Sequence, residues 1–348
     1  MRDCPLVSII VLNYNAGELL LNCIESIFLC NYKNFEVIVV DNCSTDNSHN
    51  ECKKKFEKIR LIENTQNLGY CEGNNVGIRN ASGEYLLILN PDTIVESDLI
   101  EKFLETANKY GEGLFQGKNV AMNDDTILRS TGNWINLFGF GYSRDKGTKE
   151  SGKFSQVEEI NYASGTCLFT QTKTMKKIGL FDSFLFLYHD DLDLGWRASC
   201  LNIKSFFVPT IKIRHVSSYN LKWSSQKFFW LERNRKYCLL THYSEKTRQK
   251  INLEIFFVDV LVYFSYLLKG MIKTKIQADI DILKNKETIK KKYEELEAKK
   301  IISDEILIQK FSNTIFIPDD VSKEFSGKLF NKVLNYFSKS AKRRLLAN

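Results

Sequence analysis

The first ninety residues alternate short, almost unbroken apolar runs with stretches of helical spacing. Residues 6–12 (LVSIIVL) and 35–40 (FEVIVV) are too uniformly apolar for amphipathic helices and predict buried strands. Residues 59–62 and 84–89 (EYLLIL) predict two more. Between them, Leu20, Cys23, Ile24 and Ile27 share a helical face over residues 17–29, and a further helix should run to about Asn80. Strands apolar on both faces, alternating with helices, predict an α/β fold with a mostly parallel central sheet flanked by helices. Beyond residue 113 the pattern loosens. Residues 132–147 (GNWINLFGFGYSRDKG) predict an exposed, mobile loop. Residues 168–170 and 205–208 predict strands, with a helix starting at Asp190 between them. After Trp223 the chain becomes helical, which divides it into residues 1–222 (a donor half of about 1–112, an acceptor half of about 113–222) and a helical region, 223–348.

Charge sharpens that division. Residues 1–211 hold 21 Lys and Arg against 27 Asp and Glu, whereas residues 212–348 hold 28 against 15. The net charge of +7 therefore belongs to the C-terminal region, and points to an anionic surface rather than to nucleic acid. In residues 325–346, Phe325, Leu329, Phe330, Val333, Leu334 and Phe337 should share one helical face, with six cations around it. Such a helix suits an anionic membrane surface, and packing on the first domain or in a homo-oligomer is the competing reading. The most apolar stretch, residues 255–268, contains Asp259 and is short for a bilayer span. Nine scattered cysteines without a CxxC pair, and a strand close to the start with no leader, predict reduced thiols and a cytoplasmic location.

Open parallel sheets bind ligands at the carboxyl ends of their strands, where this sequence places Asn13, Asp41 and the Asn90-Pro91-Asp92 turn. Asp41 could accept from a nucleobase N–H or a ribose hydroxyl, or cap a helix. Asp92 could hold a divalent metal, Mg2+ or Mn2+, against a diphosphate, although Asn-Pro-Asp is also ordinary turn chemistry. Asp190, Asp191 and Asp193 open a helix whose dipole favours them, and like charges so close raise a carboxyl pKa toward that of a general base. His215 ends a strand and is a second metal or phosphate candidate. The Asn/Gly stretch 67–77 (NLGYCEGNNVG) would let backbone approach a ligand closely. It lacks GxGxxG and GKS/T patterns, which disfavours dinucleotide enzymes and P-loop NTPases.

Five segments in this order resemble glycosyltransferase family 2, especially its rhamnosyltransferase-like members. They are VSIIVLNYN (7–15), VIVVDNCSTDNS (37–48), NLGYCEGNNVGIRNASGEYLLILNPDT (67–93), ASGTCLFTQ (163–171) and GLFDSFLFLYHDDLDLGWRA (179–198). The resemblance implies a GT-A fold, a nucleotide-diphosphate sugar donor, a divalent cation and single displacement with inversion onto a saccharide or lipid-linked acceptor. It makes Asp41 the base-binding acid, with Tyr14 near the nucleobase. Asn13, Asn67, Asn74, Asn75 and Asn90 fall on the donor side, and Asp92 is the last acid of the metal motif. Asp191 becomes the general base with Asp190 beside it, and Trp196-Arg197 become scaffold. The sequence departs at Asn90, where many members carry an acid, at Asp190, where Glu is commoner, and at Glu72, usually a small residue. A non-catalytic sugar-nucleotide or glycan-binding subunit is the alternative.

Overall fold

The computed structural model describes residues 4–216, 224–316 and 325–347. Two compact units emerge. One holds the residues up to 133 together with 143–195 and 203–216; the other holds 134–142, 196–202 and the chain from 224 on. The division expected at 222/223 lies outside the described residues.

The first unit is built on one large sheet. Its parallel part comprises β1 (Val7–Asn13), β2 (Phe35–Asp41), β3 (Arg60–Glu63) and β4 (Tyr85–Leu89), in the order β3-β2-β1-β4. All seven residues of β1 are buried, as its unbroken apolar run requires when helices cover both faces. Val7, Ile9 and Val11 share one core cluster with α1 (Glu18–Phe28) and with α4 (Leu99–Tyr110). The alternate residues Ile10 and Leu12 meet α3 (Gly69–Arg79) on the other face. Between β2 and β3 runs α2 (Ser48–Lys55), whose first backbone N–H donates to Asp46 at 3.1 Å.

The Asn/Gly stretch is where expectation and structure part. A Cβ on Gly73 would lie 2.6 Å from a Leu12 methyl, and one on Gly77 would lie 2.5 Å from Ile10 Cγ2. These two glycines bring helix and sheet together. Because α3 has no side chains of its own at these two positions, it packs directly on the Leu12 and Ile10 side chains, and its asparagines are fixed near the ends of the strands.

The sheet continues through β5 (Thr93–Val95), β6 (Gly113–Ala121), β7 (Asp124–Ser130), β10 (Glu158–Ile160), β11 (Cys167–Gln171) and β12 (Lys204–His215). Strand β11 runs antiparallel between β4 and β6, and β12 pairs parallel with β6 and antiparallel with β5. Residues 132–147 are not an exposed loop. They carry β8 (Asn133–Ile135) and β9 (Gly141–Ser143), and Asn133, Ile135, Asn136, Leu137 and Phe138 are all buried. Polar side chains interleaved with aromatics misled the reading, because the Asn amides are satisfied internally: Asn133 donates to Gln116 at 2.6 Å. Two further helices complete this part of the chain, α5 (Thr172–Ile178) and α6 (Asp190–Cys200).

The second unit is helical: α7 (Ser225–His242), α8 (Glu245–Lys250), α9 (Asn252–Leu268), α10 (Ile272–Lys284), α11 (Lys286–Glu297), α12 (Asp304–Lys310) and α13 (Phe325–Leu346). A buried charge network joins α7, α9 and α10. Lys275 is wholly enclosed, its Nζ 3.1 Å from Glu232, 3.4 Å from Asp259 and 2.9 Å from Asp279. Trp196 is buried with its ring 4.9 Å from those of His242 and Phe311 and 5.0 Å from that of Tyr243. On α13 the apolar face is narrower than expected. Leu334, Ser338, Ala341 and Leu345 are buried, whereas Leu329 is exposed.

Candidate active site

The carboxyl ends of β1 and β2 set the first cluster. Their register pairs Asn13 with Asp41, and both side chains are buried. Asn13 Nδ2 donates to Asp41 Oδ1 at 2.7 Å, to Ser48 Oγ at 2.9 Å and to Ser44 Oγ at 3.1 Å. Asp41 Oδ2 accepts from the Ser44 N–H at 2.9 Å. His49, which no local pattern singles out, places Nδ1 3.4 Å from Asp41 Oδ1. Asn13 Oδ1 is buried without a partner, and Tyr14 next to it is partly exposed. Asn67 Oδ1 accepts from Asn42 Nδ2 at 2.8 Å, while Asn42 Oδ1 takes Asn64 Nδ2 at 3.1 Å and the Leu68 N–H at 3.0 Å. Asn67 thus reaches the cluster through Asn42, a buried neighbour of Asp41 that the sequence reading passed over.

On α3, Asn74 donates to the Tyr70 carbonyl at 2.9 Å and leaves Oδ1 buried and unpartnered. Asn75 is fully engaged elsewhere. Its Nδ2 donates to the Phe181 carbonyl at 2.9 Å and its Oδ1 accepts the Phe181 N–H at 3.1 Å.

The turn after β4 forms the second cluster. Asn90 N–H donates to the Thr166 carbonyl at 3.0 Å. Antiparallel pairing of β5 with β12 sets Thr93 opposite His215, which brings His215 Nε2 to 3.1 Å from Asp92 Oδ2. Asp92 is 2% exposed, and its Oδ1 has no partner. A buried carboxylate oxygen left unsatisfied is costly, and beside an imidazole nitrogen it forms a donor set suited to a divalent cation.

The third cluster is the start of α6. Asp191 accepts from the Leu192 N–H at 2.8 Å, and also from the Gly165 N–H and the Ser164 hydroxyl. Burial outweighs these bonds and pushes its carboxyl up to about 6. Asp190 is raised well above the ordinary carboxyl range, by burial first and then by the charge of Asp191. Tyr70 donates its phenol to the Gly165 carbonyl at 2.8 Å. Ahead of the helix, Phe186, Tyr188 and His189 adopt φ of 61°, 65° and 60°. Bulky side chains seldom take this conformation, and strain of this kind concentrates at functional sites.

One turn gathers these pieces. Thr166 holds the Asn90–Asp92 turn, while Ser164 and Gly165 hold Asp191 and Tyr70. The turn that bears Asp92 and the start of α6 that bears Asp191 are therefore both tied to three consecutive residues.

The Glycosyl transferase family 2 model matches residues 8–179. Over that stretch the chain belongs to glycosyltransferase family 2. An uncharacterized glycosyltransferase of Haemophilus influenzae is 39% identical over 112 residues, 31% of this chain and 35% of that protein. The N-acetylglucosaminyl-diphospho-decaprenol L-rhamnosyltransferase of Mycobacterium tuberculosis is 22% identical over 61% of this chain and 76% of its own length. The alignments to several curated family members span only about a third of those proteins. The crystal structure of GalNAc-T7 with UDP, GalNAc and Mn2+ superposes on 73% of this chain and 52% of its own, with a TM-score of 0.59 at 13% identity. The fold is GT-A, as the resemblance implied.

Proposed function

We propose that the chain transfers a hexose from a nucleotide-diphosphate donor to a hydroxyl of a saccharide or lipid-linked acceptor, with inversion at the anomeric carbon. The observation that carries this reading is the Ser164–Thr166 turn, whose Thr166 carbonyl takes the Asn90 N–H of the turn that bears Asp92 while its Ser164 and Gly165 bond Asp191. Asp41 and Asn13 receive the nucleobase and ribose, where the unpartnered Asn13 Oδ1 awaits a donor. Tyr14 flanks the base, and Asn74 Oδ1 is a second buried acceptor without a hydrogen-bond partner. Asn67, Asn75 and Asn90 act through the backbone and side chains they hold. Asp92 and His215 would hold Mg2+ or Mn2+. When bound, that cation offsets the charge that develops on the departing diphosphate; Mn2+ accompanies UDP in the GalNAc-T7 structure.

Asp191 takes the proton of the acceptor hydroxyl. The acceptor oxygen bonds to the anomeric carbon from the face opposite the diphosphate, the anomeric carbon–oxygen bond to phosphate breaks, and the nucleoside diphosphate leaves with that electron pair. Asp190, whose carboxyl burial and the charge of Asp191 raise well above the ordinary range, favours its protonated form and so eases ionisation of Asp191, which can lose and gain the working proton. The rhamnosyltransferase name of the mycobacterial relative makes dTDP-rhamnose one donor to try, and the cysteine usage suits a cytoplasmic enzyme.

The test is a panel of UDP-, GDP- and dTDP-sugars incubated with Mn2+, with release of nucleoside diphosphate as the readout. Release with at least one donor, abolished in Asp191→Asn while donor binding persists, is expected. Tight donor binding without release, across the panel and with saccharide and lipid-linked acceptors, would establish a binding subunit instead.

A further inference from the structure

Helix α9 is buried along Glu254, Val258, Val262 and Tyr266 and nowhere else. Its opposite side carries Leu253, Phe256, Phe257, Val260, Phe264 and Leu268, with Phe256 60% and Leu268 62% exposed. Singly exposed apolar residues are ordinary; a four-turn stripe on one helix marks an interaction surface.

The stripe continues onto α13 through ring contacts, two edge-on and one stacked. Phe256 lies 5.6 Å from Phe257, Phe257 stacks on Phe337 at 5.4 Å, and Phe337 contacts Tyr336 at 5.3 Å. Tyr336 is 69% exposed. Around it the solvent side of α13 presents Lys328, Lys332, Lys339 and Arg343, and residues 325–346 include no Asp or Glu. A depression of about 590 Å³ lined by Asn335, Tyr336, Lys339, Ser340, Arg343 and Arg344 lies on this side.

Neither acid of α9 weakens the positive field. Glu254 accepts from Ser340 at 2.9 Å and pairs with Arg344 at 3.3 Å. Asp259 pairs with Arg235 and Lys236, each at 3.0 Å. Among the described residues no helix is long and apolar enough to cross a membrane.

We propose that this face docks on an anionic phospholipid bilayer. The α9 stripe and the Phe257–Phe337 stack enter the headgroup–acyl boundary, and the α13 cations lie over lipid phosphates. Charge selects this occupant over a second copy of the chain, because two such faces packed together would oppose cation to cation with no acid on α13 to relieve them. The inference stands apart from the catalytic reading, and activity plays no part in its test.

The experiment is vesicle flotation of the full chain. Vesicles of phosphatidylcholine alone are compared with vesicles containing about a third phosphatidylglycerol. The wild type should float with the anionic vesicles only. Charge reversal at exposed positions, in Lys332→Glu/Lys339→Glu/Arg343→Glu, should lower partitioning on the order of 100-fold. The separate variant Phe256→Ser/Phe264→Ser should also release the chain, with far-UV circular dichroism confirming that both variants are folded. Equal recovery on the two vesicle types, no recovery on either, or undiminished flotation of the charge-reversed chain overturns the proposal. So does a wild-type dimer that Phe256→Ser/Phe264→Ser converts to monomer without loss of flotation; that result would assign the face to self-association.

Discussion

Replacing Asp191 with Asn separates the cost of the proposed base from its benefit. In the folded chain the Asp191 carboxyl is raised from 3.8 to about 6 by burial. Its ionised form therefore opposes folding. That penalty is absent below the unfolded value, grows as pH rises from about 4 to 6, and is constant above. A shift of about two units corresponds to about 3 kcal/mol at most. Asp191 retains some contact with water, which reduces the figure to about 2 kcal/mol. Asparagine never pays this penalty. It keeps an oxygen for the Leu192 N–H, but turns an amide toward a site where Asp191 accepts from Gly165 and Ser164, at a pH-independent cost of about 1 kcal/mol. Asp191→Asn should therefore be less stable than wild type near pH 4, equal in between, and more stable by about 1 kcal/mol above pH 7. Denaturant midpoints collected across that range give the comparison. Release of nucleoside diphosphate should fall by roughly 100-fold or more in the variant, and in the wild type kcat/KM should decline below about 6 as Asp191 takes up a proton. A stability difference independent of pH, or turnover that survives the substitution, would refute both the tuned carboxyl and its role.

Three further substitutions test other parts of the structure. Asp92→Ala should abolish the gain in donor affinity that Mn2+ provides, measured by calorimetry with and without chelator; an undiminished gain would move the metal elsewhere. Gly77→Ala puts a methyl group 2.5 Å from Ile10 Cγ2 and should destabilise by about 1–3 kcal/mol despite the better helix propensity. Unchanged thermal stability would show that α3 can lift from the sheet at no cost. Lys275→Met removes one of the two cations on each of Glu232, which keeps Arg235 at 2.7 Å, and Asp279, which keeps Lys236, and should lower stability by about 1–3 kcal/mol, whereas a neutral or stabilising result in denaturant would show that the network serves specificity alone.

The parallel half of the sheet was legible because β1, β2 and β4 are buried on both faces, and a two-faced strand writes itself as an unbroken apolar run. Their ends marked Asn13, Asp41 and Asp92 for the same reason. The rest depends on contacts distant in sequence. His215 meets Asp92 only because β12 pairs with β5 across more than a hundred residues, and no local pattern carries that register. Asn42, His49 and Tyr70 were missed because each serves the site through a partner that the sequence does not disclose. The segment 132–147 misled for the opposite reason: polar and aromatic residues in alternation look solvated until the buried partners of Asn133 are known.

The same long-range logic explains why α3 is rich in asparagine and glycine. A helix N-terminus after a Gly-rich stretch invites a phosphate, yet the first amides of α3 are already taken: Tyr70 N–H donates to the Phe186 carbonyl at 2.7 Å and Cys71 N–H at 3.4 Å. Any side chain at Gly69 would put its Cβ 2.5 Å from that carbonyl and from the Phe186 ring. Asn75 holds the same loop at its other end, through Phe181. The helix that packs beneath the donor cluster thus grips, at two points, the strained segment that delivers Asp190 and Asp191. Phe186, Tyr188 and His189 can sustain positive φ because α3 fixes the chain before them and α6 fixes it after. Gly69 and Asn75, which look like ligand contacts in the sequence, are thus the means by which α3 positions the start of α6.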